Sequence, residues 1–156
     1  MTPAINTAKK AKISFQIHEY EHDPNSASYG GEAAAKMGVA SERVFKTLVV
    51  AQDNGELAVA VVPVACQLDL KRFAKALGAK KVAMADKNVV ERASGYVVGG
   101  VSPLGQKKKL ATIIDESAKQ FTTIFVSAGR RGLEIELSPN DLLSLTRAEF
   151  GAIGRE

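Results

Sequence analysis

"VVAQDNGELAVAVV" (residues 49–62) is the stretch that decides the fold. Two runs of small and β-branched apolar residues flank Asn54-Gly55, a pair that tolerates the positive φ angles of a two-residue hairpin turn. A second stretch, "FTTIFVSAGRRGLEIEL" (121–137), reads the same way around its glycines. In it Leu133, Ile135 and Leu137 share one face, and Glu134 and Glu136 share the other, which reads as solvated. Two hairpins without strict βαβ alternation argue for a mixed or antiparallel sheet with helices outside it.

Outward from the hairpins, capping residues mark the helices. Thr2 and Pro3 form an N-cap and N1 pair opening a helix to about Lys12. "ISFQIHEYEHD" (13–23) then alternates, with Ile13, Phe15 and Ile17 on an apolar face and His18, Tyr20 and His22 on the other. "GEAAAKMG" (31–38) is a helix closed by Gly38. Asp69 and Asp86 stand as caps before "LKRFAKAL" and "KNVVERAS", closed by Gly78 and Gly95, with the short strand "KVAMAD" between them. "LATIID" (110–115) is another strand, and Ser138-Pro139-Asn140-Asp141 opens a last helix to about Thr146. The reading gives roughly eight strands and five helices in one α+β domain over residues 1–156, with no repeat or linker.

Bulk properties narrow the function. The 156 residues are 46% hydrophobic and 24% charged, ordinary values for a globular chain. No apolar run approaches the roughly 20 residues of a membrane span, and no apolar core of a signal peptide opens the chain, so a cytoplasmic location is expected. One cysteine and two histidines leave no multi-cysteine or histidine-rich metal site, so no metal is expected. Lysine and arginine exceed the acids 21 to 17, a mild excess that suits a phosphate-bearing partner without requiring one. "GQKKKL" (105–110) and "GRRG" (129–132) concentrate it beside glycines, either as solvated charge or as basic loops.

Chemistry is carried by a few residues. Lys46 leads the buried run "FKTLVV" (45–50), where it either snorkels to solvent or stands in a pocket for an anion. Four glycines and Pro103 make "GYVVGGVSPLGQKKKL" (95–110) a sculpted loop able to offer backbone N–H groups to an oxyanion. The nucleophile elbow G-x-S-x-G, a Walker A loop and a recognisable Cys/His pair are all missing from the sequence. Cys66 precedes a helix start, where a thiol pKa could fall, although a buried structural cysteine is the commoner role. Such a set suits acyl transfer or ester hydrolysis on an anionic substrate without a protein nucleophile.

The stretches "FKTLVV", "QLDLKRFAKALGAKKVAMAD" (67–86), "GYVVGGVSPLGQKKKL" and "SAGRRGLEIEL" (127–137) occur in this order in the YbaK family. With the similar opening "MTPAI…KISFQIHEYEHDP", the chain resembles that family along essentially its whole length, most closely the Cys-tRNA(Pro) deacylase branch. The resemblance implies a strongly curved mixed sheet, barrel-like and surrounded by helices, as in the prolyl-tRNA synthetase editing domain. It implies an editing enzyme that clears mischarged Cys-tRNA(Pro), the substrate thiol attacking its own ester, with no cofactor. Ala- or Ser-tRNA deacylation, or tRNA and synthetase binding without chemistry, are the other readings. The implied partners are aminoacyl-tRNA and prolyl-tRNA synthetase. Lys46 matches the family's essential lysine, and Gly99, Gly100, Val101, Ser102 and Pro103 match its G-x-x-x-P loop. Tyr20, Tyr29, Thr47, Ser127 and Glu134 match pocket-lining positions, Tyr29 standing where relatives often carry Phe and Glu134 where many carry Asp. Lys107, Lys108, Lys109, Arg130 and Arg131 become candidates for contact with the tRNA backbone.

Overall fold

The computed structural model describes residues 1–26 and 29–156, excluding the side chains of Tyr29 and Gly30. The hairpin around Asn54-Gly55 forms, but through a turn longer than two residues: the Gln52 amide donates to the Glu56 carbonyl, the Gly55 amide donates to the Gln52 carbonyl, and only Gly55 of the pair takes positive φ. Strand β2 (Phe45–Gln52) pairs antiparallel with β3 (Leu57–Pro63), and Gly55 takes φ +87° in the turn. These two strands centre a five-stranded sheet in the order β5-β2-β3-β6-β9, with β5 at Val82–Met84, β6 at Ala111–Asp115 and β9 at Glu149–Gly151. β3 to β6 and β6 to β9 are parallel, so the sheet is mixed. β3 is buried on both faces, which accounts for the nearly unbroken apolar run Leu57–Pro63.

The second hairpin, β7 (Ile124–Arg130) and β8 (Leu133–Leu137), joins β1 (Phe15–Glu19) in a three-stranded antiparallel sheet ordered β1-β8-β7. Between this sheet and the five-stranded one lies the main core: Phe45, Val49, Val59 and Val61 meet Ile124, Val126, Ile135 and Leu137. Helix α1 (Pro3–Ala11) closes it with Ala4, Ile5 and Ala8, its N-cap Thr2 accepting the Ile5 amide as the sequence predicts. On the far face of the large sheet, Val50, Ala58, Ala60 and Val62 pack beneath Phe73 and Ala74 of α3 (Leu70–Leu77), capped by Asp69 through the Arg72 amide. α2 (Tyr29–Met37), α4 (Lys87–Ser94) and α5 (Pro139–Thr146) complete the helices, and the α5 cap at Ser138 accepts the Asp141 amide.

Several expectations are corrected. The sheet does not close into a barrel: the two large sheets meet through one isolated bridge, Val44 to Phe125. The face of Glu134 and Glu136 is not solvated, because Ala33 and Ala34 of α2, with Val44, pack against Phe125 on that side. Glu134 is accordingly only 6% exposed. On the edge strand β1 the supposed apolar face leaves Ile17 36% exposed, while His18 packs on the Phe125 ring and bonds Glu136 at 2.8 Å. Asp86 stands at the N-cap of α4 but makes no side-chain capping bond. Cys66 is part-exposed, and burial together with the Asp115 and Glu156 carboxylates pushes its thiol pKa up, not down. The strands β4 (Gln67–Leu68), β9 and β10 (Gly154–Arg155) had no sequence signal, since two or three residues carry no readable period.

Candidate active site

β5 pairs with β2 only at Val50–Gln52, so the first half of β2 has a ladder on one side alone. A cavity of about 430 Å³ opens along that free edge, between the two large sheets. This explains why consecutive residues Phe45, Lys46, Thr47, Leu48 and Val49 all line it, although their side chains alternate between faces. β7 and β8 contribute Ser127 and Glu134, which are cross-strand neighbours, with His18 of β1 opposite Glu134 on the other side. Val98, Gly99 and Val101 of the glycine loop and Met84, Lys87 and Val90 form the opposite wall.

Lys46 makes no hydrogen bond or ion pair among the described residues, and burial holds its pKa below the usual lysine value, with the Cys66 thiol working weakly the other way. The Thr47 hydroxyl is also buried without a partner. Groups left this way cost stability, and a ligand that supplies their partners recovers that cost. Glu134 has no ion pair among the described residues, and burial pushes its carboxyl up to about 8. At neutral pH it is therefore mainly the uncharged acid, so the cavity floor sets no carboxylate against an anionic ligand. Burial also raises the Tyr20 phenol, with Glu134 acting in the same direction.

The glycine loop divides into two functions. Gly99, at φ +99°, and Val101 line the cavity, and neither amide is hydrogen-bonded among the described residues. Gly100, Ser102 and Pro103 instead build the loop. A Cβ on Gly100 would stand 2.7 Å from the Arg130 Cα, so its absence lets the loop lie against the β7–β8 turn. Ser102 is fully buried and its hydroxyl accepts the Leu104 amide, while Tyr96 hydrogen-bonds the Leu104 carbonyl at 2.6 Å.

Of the residues read from sequence, Lys46, Thr47, Tyr20, Gly99, Val101, Ser127 and Glu134 converge on this cavity. Gly100, Ser102 and Pro103 do not line it, and the side chain of Tyr29, the part the expectation concerns, lies outside what is described. Arg131, expected as a backbone contact, also lines the cavity: it lies 3.8 Å from Glu32, itself bonded by His22 and the Asp23 amide. Arg130, by contrast, is exposed, and Lys107 lies outside this wall. Val44, Val64, Met84, Lys87 and Val98 were missed, because only the sheet junction brings these separated positions to one wall.

A lysine at an open strand edge, free loop amides and an apolar wall between two sheets thus share one cavity. Residues 23–145 match the aminoacyl-tRNA editing domain family, and the chain belongs to that family. A relative from Enterococcus faecalis, provisionally named a Cys-tRNA(Pro)/Cys-tRNA(Cys) deacylase, is 40% identical over 152 residues, 97% of this chain and 92% of its own. A proline–tRNA ligase of Brachyspira hyodysenteriae is 24% identical over 62% of this chain and 17% of its own length. Among solved structures, a provisionally assigned trans-editing enzyme for prolyl tRNA synthetase superposes with a TM-score of 0.85 at 22% identity, covering 100% of this chain and 99% of its own. No helix among the described residues is long and apolar enough to cross a membrane.

Proposed function

We propose that this protein clears cysteine from mischarged tRNA(Pro), acting in the cytoplasm in trans to prolyl-tRNA synthetase. One observation carries the reading: an unpartnered Lys46 shares its cavity with the free amides of Gly99 and Val101, while no histidine or cysteine lines that cavity. Such a site can hold an ester and stabilise charge, and among the described residues it holds no cysteine nucleophile and no histidine base. The E. faecalis relative, by its name, supports cysteine as the acyl group.

In this mechanism Lys46 takes the terminal phosphate of the tRNA as a point charge. The Gly99 and Val101 amides receive the carbonyl oxygen as it becomes an oxyanion. The substrate's own thiol sulfur attacks the carbonyl carbon, forming C–S as the ester C–O bond breaks. The thiol proton passes to the departing ribose oxygen, leaving a free terminal hydroxyl. The strained thiolactone departs and is opened by water to cysteine. Synthesis needs this second sieve because cysteine and proline differ little in volume, and a pocket separates near-isosteres poorly.

The test is release from Cys-, Ala- and Ser-charged tRNA(Pro), with the product identified, beside Lys46→Ala. Thiolactone from the cysteine ester alone is the expected product. Lys46→Ala should lower kcat about 100-fold, because an ester no longer anchored at its phosphate loses its alignment with the loop amides. Its melting temperature should stay within about 4 °C, since no described residue depends on that lysine. Release of alanine or serine at comparable rates, without thiolactone, would sink the substrate-assisted route.

A further inference from the structure

A second cavity, about 510 Å³, lies at the other end of the glycine loop, walled by that loop, β6, α1 and the end of α5. Lys108, Lys109 and Arg147 line it, and among the described residues no acidic one does. None of the three side chains makes an ion pair or hydrogen bond among the described residues. Arg147 is placed there by the end of α5, which it closes in the left-handed region at φ +53° with its amide donating to the Leu143 and Ser144 carbonyls.

The neutral polar groups of the wall are already committed. Thr7 donates to the Pro3 carbonyl, Gln106 to Ser102, Thr112 to Leu110 and Thr146 to Leu142. With the hydroxyl donors occupied, the donors still on offer are the Lys108 and Lys109 ammoniums, the Arg147 guanidinium and the second side-chain N–H of Gln106. That suits a polyanion gripped without regard to sequence and not a small ligand read by its functional groups. The position fits as well. Val101 lines the first cavity and Lys108 the second, and no more than about 25 Å of extended chain can separate them. A nucleic-acid strand rising about 3.4 Å per nucleotide covers that reach within its first several phosphates.

We propose that Lys108, Lys109 and Arg147 form a phosphate-backbone subsite that grips the acceptor stem of the tRNA whose 3′ end occupies the first cavity. The inference rests on the editing reading for its choice of ligand, but its chemistry is separate from the ester cleavage. It also narrows the basic segments of the sequence. Lys107 stands outside the wall, whereas Arg147, forty residues away in sequence, belongs to it.

The experiment measures the affinity of the purified protein for uncharged tRNA(Pro) across a salt series. The variants are Lys108→Ala/Lys109→Ala and, separately, Arg147→Gly, which suits a left-handed backbone and so keeps the end of α5 intact. The slope of log affinity against log salt should shrink by about one for each cation removed, with the melting temperature held. Unchanged affinity and slope in both variants would overturn the subsite. So would intact tRNA binding with lost binding of prolyl-tRNA synthetase, which would make the cavity a protein-docking surface. Cysteine release by unaltered protein from a cysteinyl ester of adenosine 5′-monophosphate, which keeps the phosphate for Lys46 but is too short to reach the second cavity, reports on the first cavity alone. Failure there, with salt-dependent tRNA binding through these cations retained, would sink the deacylase reading and leave the subsite standing.

Discussion

Glu134 is the residue whose environment departs furthest from its sequence appearance. Its alternation with Leu133 and Ile135 gave it an exposed face, but α2 covers that face and burial lifts its carboxyl to about 8. The consequence for stability has a definite sign. Between the ordinary value of 4.5 and about 8, the folded protein holds a proton that the unfolded chain has released. Folding free energy from this residue therefore weakens as pH rises through that window, by on the order of 1.4 kcal/mol per unit. Glu134→Gln removes the titration. Urea unfolding of both proteins at pH 5 and pH 8 should show the wild type losing stability relative to the variant at the higher pH. An unchanged difference between the two would mean that the carboxyl titrates normally.

At the scale of elements, the glycine loop and the β7–β8 turn act as one unit. Gly100 sits against the backbone of Arg130 and Arg131, and Gly129, at φ +115°, leaves room for the Tyr96 ring. The buried Tyr96 hydroxyl and the Ser102 hydroxyl fix the middle of the loop from within. Gly100→Ala would force a methyl into main-chain atoms that cannot step aside. The expected cost is roughly 1–3 kcal/mol of stability, the range for overpacking a tight contact. Deacylation should fall as well, because Gly99 and Val101 flank the displaced position. Denaturant melts and initial rates on Cys-tRNA(Pro) check both, and a variant with wild-type rates would separate the loop from the chemistry.

At the scale of the molecule, the cavity lies where two sheets pair, among the described residues, through a single bridge. Arg43 fastens that junction. Its guanidinium donates to the Thr123 carbonyl and hydroxyl and lies over the Phe125 ring at 5.0 Å, beside Glu136. These contacts tie the turn preceding β2 to the smaller sheet. Arg43→Ala should cost about 1–3 kcal/mol, the range for losing charge-assisted hydrogen bonds. If the junction sets the cavity width, KM for charged tRNA should rise while kcat changes less, the opposite of the Lys46→Ala pattern. Equal losses in kcat for the two variants would argue that the junction only supports folding.

The sequence by itself determined the local elements and the family. The Asn54-Gly55 turn, the caps Thr2, Asp69 and Ser138, and the closing glycines each rest on interactions within a few residues, so their signals are complete in the sequence. The Lys46 run and the glycine loop were legible for the same reason, as contiguous stretches. Tertiary structure alone decided which carboxylate is buried, which loop residues reach the cavity, that Arg131 faces it, and that Arg147 joins Lys108 and Lys109. Exposure depends on what covers a face, and here α2 covers one that two alternating glutamates marked as open. Long-range placement likewise depends on sheet pairing, and the unpaired half of β2, where the cavity lies, has no signature in its own residues.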